Sequence, residues 1–168
     1  GEEAIELARH GIACEIVPGI SSSIAGPMAA SIPVTHRGLS SAFMVISAHE
    51  TEHIKWNAVA QLVQSNTTLV FLMGAKNSGQ IARGLLANDA SADLPVSIIE
   101  NATTDKQSTV RSNLSQLVHL KVKAPAVIVV GDCAGLNVTD LPTAIKESER
   151  EVENESSSYR SSKEVTSV

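Results

Sequence analysis

The sequence predicts an α/β protein, a parallel or mixed sheet covered by helices, and three observations predict it. Short apolar runs alternate along the chain with helical patterns of 8 to 14 residues, the signature of strands joined by helical crossovers. Hydrophobic residues make up 43% of the 168 residues, yet Phe43, Trp56, Phe71 and Tyr159 are the only aromatics. A core packed from Val, Ile, Leu and Ala suits a sheet with helices on its faces. The charges are also segregated. The last 30 residues, from Thr139, carry seven acids, four bases and seven serines, while the first 138 hold 11 acids and 9 bases. The near-neutral part is long enough for about one domain. The tail has too little to bury to offset the entropy of ordering, and disorder is expected there; the alternative is an amphipathic helix around residues 144–153.

The elements follow in order. Residues 2–10 read as a helix, with Ala4, Ile5, Leu7 and Ala8 at helical spacing and Gly11 as the stop. Residues 12–17 read as a short strand ended by Pro18-Gly19. Ser21-Ser22-Ser23 offers an N-cap for a second helix through Ala29, with Pro27 weakening its middle. Strands are expected at 42–47, 67–73, 95–100 and 126–130, and helices at 52–64 and 78–87. Residues 110–117 fit either period. The strand at 12–17 has no earlier strand to join, so the chain reads as part of a larger protein.

Composition and motifs exclude several functions. A net charge of −5 and few aromatics argue against a nucleic-acid partner. No apolar run approaches the roughly 20 residues that span a bilayer. Two cysteines, Cys14 and Cys133, make no disulfide framework, and a reducing compartment is the expectation. His49-Glu50-Thr51-Glu52-His53 matches the zinc-protease pattern, but that chemistry needs both histidines on one helix. Here the motif follows a strand directly, so it reads as a polar turn and no metal is expected.

Four further segments stand where ligands of α/β proteins gather. Val17-Pro18-Gly19-Ile20-Ser21-Ser22 ends in hydroxyls at a helix N-terminus, which suits a carboxylate or phosphate. Val70 to Gly74 puts Met73 at the carboxyl end of a strand, the usual ligand side of such sheets. Gly131 to Gly135 reads as a plain strand exit without a phosphate-loop ending. Thr35-His36-Arg37 is a basic loop able to meet anions. Taken singly, the first three read more readily as ordinary packing or turns, and Thr35-His36-Arg37 equally well as a surface loop.

Taken together they resemble a family. Gly1-Glu2-Glu3, Val17-Pro18-Gly19-Ile20, Ile32 to Gly38, His49-Glu50, Thr68 to Gly74, Pro95-Val96, Glu100 to Thr103, Gln107 and Pro125 to Gly131 occur in the order of the C-terminal part of uroporphyrinogen-III C-methyltransferases, in the tetrapyrrole methylase superfamily. The resemblance covers about residues 1–136. It implies a two-domain αβα fold with S-adenosylmethionine in the cleft between domains, acting as a homodimer. It implies two methylations of uroporphyrinogen III, giving precorrin-2 for sirohaem and cobalamin. By position, Ser21, Ser22, Met73 and Ala102 fall on the cofactor side. Ala102 stands where the family usually has Gly, which puts backbone freedom there in question. Thr35, His36 and Arg37 fall near the tetrapyrrole.

The same resemblance divides the chain into residues 1–37, the end of the N-terminal domain and the interdomain segment; 38–138, the C-terminal domain; and the tail, 139–168. It places the catalytic acid and lysine and the Gly-Gly-Asp-Pro loop before Gly1, so no catalytic residue is expected within these 168. A cytoplasmic location follows, or a plastid in a eukaryote. A precorrin methyltransferase and a non-catalytic dimerising half remain the alternative readings.

Overall fold

The structure, a computed structural model, describes residues 1–139. The expected disorder of the tail, and the alternative helix within it, lie outside the described residues save Thr139. Helix α1 spans Glu2–Arg9 and α2 Ser22–Ala29; strand β1 is Ala42–Ser47, α3 Trp56–Gln64, β2 Thr67–Leu72, α4 Ser78–Leu86 and β3 Pro95–Glu100. Strand β4 (Ser108–Asn113), α5 (Leu114–Leu117) and β5 (Ala126–Val130) complete the fold.

The five strands form one mixed sheet in the order β1-β2-β5-β3-β4. Only β1 and β2, joined through α3, run parallel; β5 pairs antiparallel with both β2 and β3, and β4 with β3. Period-2 alternation sends the strand residues to two cores. On one face Leu69, Phe71, Ile98, Ile128 and Val130 pack against Ile81 and Leu85 of α4 and Leu114 and Leu117 of α5. On the other, Val70, Ile99, Val127 and Val129 pack with Ile32 beneath α2. The result is three layers, helix on sheet on helices.

Two glycines allow this close packing. A Cβ on Gly26 of α2 would stand 2.9 Å from Val127 Cγ2, so the helix lies nearly on the sheet. A Cβ on Gly84 would come within 2.3 Å of the Trp56 ring, which also tilts against Phe71 with ring centres 6.4 Å apart.

The structure corrects two expectations and settles one stretch that the pattern left open. Residues 12–17 form no strand: Ile12, Ile16 and Val17 are exposed, and no described strand lies beside them. A strand needs a neighbour for its N–H and C=O groups, and local sequence alone supplies none. Helix α3 begins at Trp56, four residues later than expected. Thr51 donates its hydroxyl to Gln80 Oε1 (3.0 Å), and residues 51–54 close a turn through Ile54 N–H and Thr51 O. The ambiguous stretch is both things: β4 runs to Asn113, whose side chain accepts from Gln116 N–H and starts α5. The sheet is mixed, as the sequence predicts, with one parallel and three antiparallel pairings.

Candidate functional site

Two adjoining clefts open at the carboxyl ends of β2 and β3. The larger, about 510 Å³, lies between Ser22, His49, Leu72, Met73, Lys76, and the 124–126 segment that enters β5. The smaller, about 190 Å³, runs from Ser22 along Ile99, Asn101, Ala102 and Thr104. Ser22, Pro125 and Ala126 belong to both, so the two make one concave surface. A larger groove of about 700 Å³ runs along α1, but only residues of α1 and its C-cap His10 line it, and that helix buries nothing.

Local chemistry explains how each residue arrives there. Ser21 is the N-cap of α2: its hydroxyl accepts from Ser23 N–H (3.3 Å) and lies 2.7 Å from Ser23 Oγ. Ser21 serves as the cap, its hydroxyl and carbonyl taking the N–H groups of Ser23, Ile24 and Ala25, and Ser22, one residue on, faces both clefts at the positive end of the helix dipole. Met73 leaves β2 in the left-handed region, φ +57°, and is 63% exposed over the larger cleft. A non-glycine residue in that region is uncommon, and such positions cluster at ligand sites. The next turn is pinned by Asn77, whose Nδ2 donates to Ala48 O (2.8 Å) and His49 O (3.1 Å), fixing His49 at the rim.

Ala102 lies in a turn anchored by Asn101 N–H to Pro125 O (2.9 Å). The left-handed residues there are Asn101 (φ +48°) and Thr103 (φ +67°), on either side of Ala102. The departure from glycine is therefore tolerated: Ala102 itself needs no positive φ, and its methyl packs into the core under α2.

Electrostatically the surface is one-sided. Among the described residues, Lys76 and His49 line the larger cleft and no acidic residue lines either. With the first turn of α2, this suits a ligand carrying a carboxylate beside apolar surface.

The structure thus brings Ser22, Met73 and Ala102 together and leaves Ser21 to capping. Thr35, His36 and Arg37 stand elsewhere. His36 and Arg37 line a shallow hollow with Ser40 and Asn66 at the amino ends of β1 and β2, while Met73 lies at the far end of β2. One six-residue strand separates them, about 20 Å. His36 Nδ1 bonds the Arg37 carbonyl oxygen (2.9 Å), and His36 and Ser40 close the turn through a bridge. The zinc-protease motif lies wholly before α3, with both histidines off the helix: His49 at the cleft, His53 beside Glu50 at 3.8 Å. Glu100 is committed to structure, accepting from Lys123 N–H (2.7 Å).

Sequence reasoning missed Lys76, Asn101, Thr104 and Pro125. The strand-end rule that found Met73 points equally to the ends of β3 and the start of its antiparallel neighbour β5, and would have found three of them.

The family profile of Tetrapyrrole (Corrin/Porphyrin) Methylases matches residues 1–118. This chain belongs to the tetrapyrrole methylase family. Over 138 residues it is 43% identical to a uroporphyrinogen-III C-methyltransferase of Pseudomonas aeruginosa, covering 79% of this chain and 55% of that protein. It is 39% identical over 146 residues to an S-adenosyl-L-methionine-dependent uroporphyrinogen III methyltransferase of Methanosarcina barkeri, covering 82% and 56%. Among solved structures it resembles a uroporphyrin-III C-methyl transferase from Thermus thermophilus complexed with S-adenyl homocysteine, at TM-score 0.68 and 31% identity, covering 79% of this chain and 58% of that one. The chain spans little more than half the length of these relatives.

Proposed function

We propose that this chain is the C-terminal half of an S-adenosylmethionine-dependent uroporphyrinogen-III C-methyltransferase that forms precorrin-2. One observation carries the reading: Ser22, Met73 and Ala102, drawn from three separate segments, line one concave surface at the strand ends. The surface fits the cofactor. Leu72, Met73 and Ala126 offer apolar area to an adenine, and Ser22, Lys76 and His49 offer donors to the carboxylate. Bound S-adenosylmethionine would supply an electrophilic methyl group.

This chain's part in the reaction is positional. Methyl transfer demands in-line alignment of sulfonium and acceptor carbon, and holding that geometry is most of the catalysis. Ser22, Met73 and Ala102 form one wall of the cofactor site, and the facing wall and the proton-transfer groups belong to the half preceding Gly1. In this division residues 1–37 end the first domain and bridge to the second, 38–138, on whose sheet α2 docks. Thr35, His36 and Arg37 present donors to the substrate's carboxylates from outside the cofactor cleft. The working form is a homodimer, in the cytoplasm or a plastid.

The experiment is transfer of labelled methyl from S-adenosylmethionine to uroporphyrinogen III. The chain alone should give no turnover. Adding the N-terminal half of the Pseudomonas aeruginosa relative should restore it, with precorrin-2 as product. Turnover by the chain alone would place the catalytic groups within these 168 residues and defeat the division.

A further inference from the structure

The last carbonyl of α2 and that of its C-cap residue Ala30 are claimed by side chains of the β4 region. Helix ends leave C=O groups without helical donors, and here the N–H groups of Ala30, Ser31 and Ile32 turn back to Pro27 and Met28. Ala29 O instead accepts from Gln107 Nε2 (2.9 Å), and Ala30 O from Arg111 Nη2 (2.9 Å). The two residues differ in what else they hold. Arg111 spends its other nitrogen on Leu136 O (2.6 Å) and Ala134 O (3.2 Å), both in the exit from β5. Gln107 turns its Oε1 to Thr103 N–H (2.7 Å), inside the turn that carries Ala102.

One amide group therefore ties two walls of the clefts. Its donor end fixes the end of α2, whose first turn presents Ser22. Its acceptor end fixes Thr103, a β-branched residue at φ +67°, a conformation that persists only where its surroundings impose it. The assignment of oxygen and nitrogen is forced, because a backbone N–H only donates and a carbonyl only accepts. We infer that Gln107 is a positioning residue that sets the separation between the Ser22 wall and the Ala102 wall of the cofactor cleft. The inference rests on the functional reading above for the ligand's identity, though not for the clamp itself.

Glutamate separates positioning from mere packing. It has the shape of glutamine, keeps an oxygen toward Thr103, and donates to Ala29 only when protonated. Facing a carbonyl oxygen favours the protonated form. The test titrates the full chain, ¹⁵N-labelled and paired with the complementary N-terminal half, with S-adenosylhomocysteine between pH 8 and pH 5. Gln107→Ala should weaken binding ~tenfold, the scale of one lost hydrogen bond. Gln107→Glu should be as weak at pH 8 and regain affinity relative to wild type as pH falls. Wild-type affinity in Gln107→Ala, or a Gln107→Glu defect that does not change with pH, would overturn the inference. Should the wild-type pair not bind S-adenosylhomocysteine, the functional reading fails and the clamp is judged separately. The amide shifts of Ser22 and Ser23, at the opposite end of α2, move in folded Gln107→Ala if the clamp sets the helix and stay unchanged if it does not.

Discussion

Ile128, in the central strand of the sheet, is fully buried, whereas Ile16 is 79% exposed and Ile20 93%. Ile128 and Ile16 both lie in stretches that read as strands in the sequence, each closed by a turn residue. The difference lies in their neighbours. Strand β5 finds β2 on one side and β3 on the other, and residues 12–17 find none among the described residues. Helix α1 is the instructive intermediate. It forms although it buries no residue, because a helix satisfies its backbone within itself while a strand cannot. Pattern thus specifies which element a segment can become, and only a partner decides whether a strand exists. The row Ile12, Ile16, Val17 and Ile20 is the kind of exposed apolar surface that marks an interface.

The comparison breaks most visibly at its buried end. Phe71 is fully enclosed between α3, α4 and the sheet, so Phe71→Ala should cost about 3–5 kcal/mol in denaturant unfolding. A loss below about 1 kcal/mol would mean that this core is not tightly packed. Gly84→Ala should be next, at about 1–3 kcal/mol, since its methyl would meet the Trp56 ring and push it off Phe71. An unchanged melting midpoint would show that Trp56 moves away freely.

These sites also show how far the sequence could be read. The strands at 42–47, 95–100 and 126–130 were legible because short segments rich in Val and Ile, bounded by turn residues, are too short for a core helix, and Ser21 was legible as a cap by its hydroxyl and position. The antiparallel insertion of β5 between β2 and β3 was not, because pairing depends on contacts between residues some 30 to 60 apart in sequence that no local period encodes. Lys76 and Thr104 escaped for a related reason: polar residues in short turns carry no pattern, and the fold alone makes them line a cleft.

Within the site, Met73→Ala should weaken S-adenosylhomocysteine binding by on the order of 1 kcal/mol through lost apolar contact. Stability should hold, because the side chain is 63% exposed and adds little to either core. Calorimetry with the complementary half present reads the affinity, and an unaltered value would remove Met73 from the cofactor wall. The result would sharpen the contrast between exposed residues that wait for a ligand and those that wait for protein.

The smallest effect on stability belongs to the other end of the comparison. Ile16→Ser and Ile20→Ser should change the stability of the isolated chain by less than about 0.5 kcal/mol, since neither side chain touches a core. Their consequence should appear only in company. If residues 12–17 become a strand when the N-terminal half supplies a neighbour, Ile16 would pass from water into that half's core. The substitution would then forfeit burial worth about 1.5–3 kcal/mol. The measurement pairs two readings on the same variants: thermal melts of the chain alone, and its dissociation constant for the complementary half. Unchanged melts with association weakened at least tenfold would show that this segment carries the strand pattern for a partner. A variant that melts earlier alone would mean that the segment already packs on the sheet, and one that associates like wild type would mean that the two halves meet through another surface.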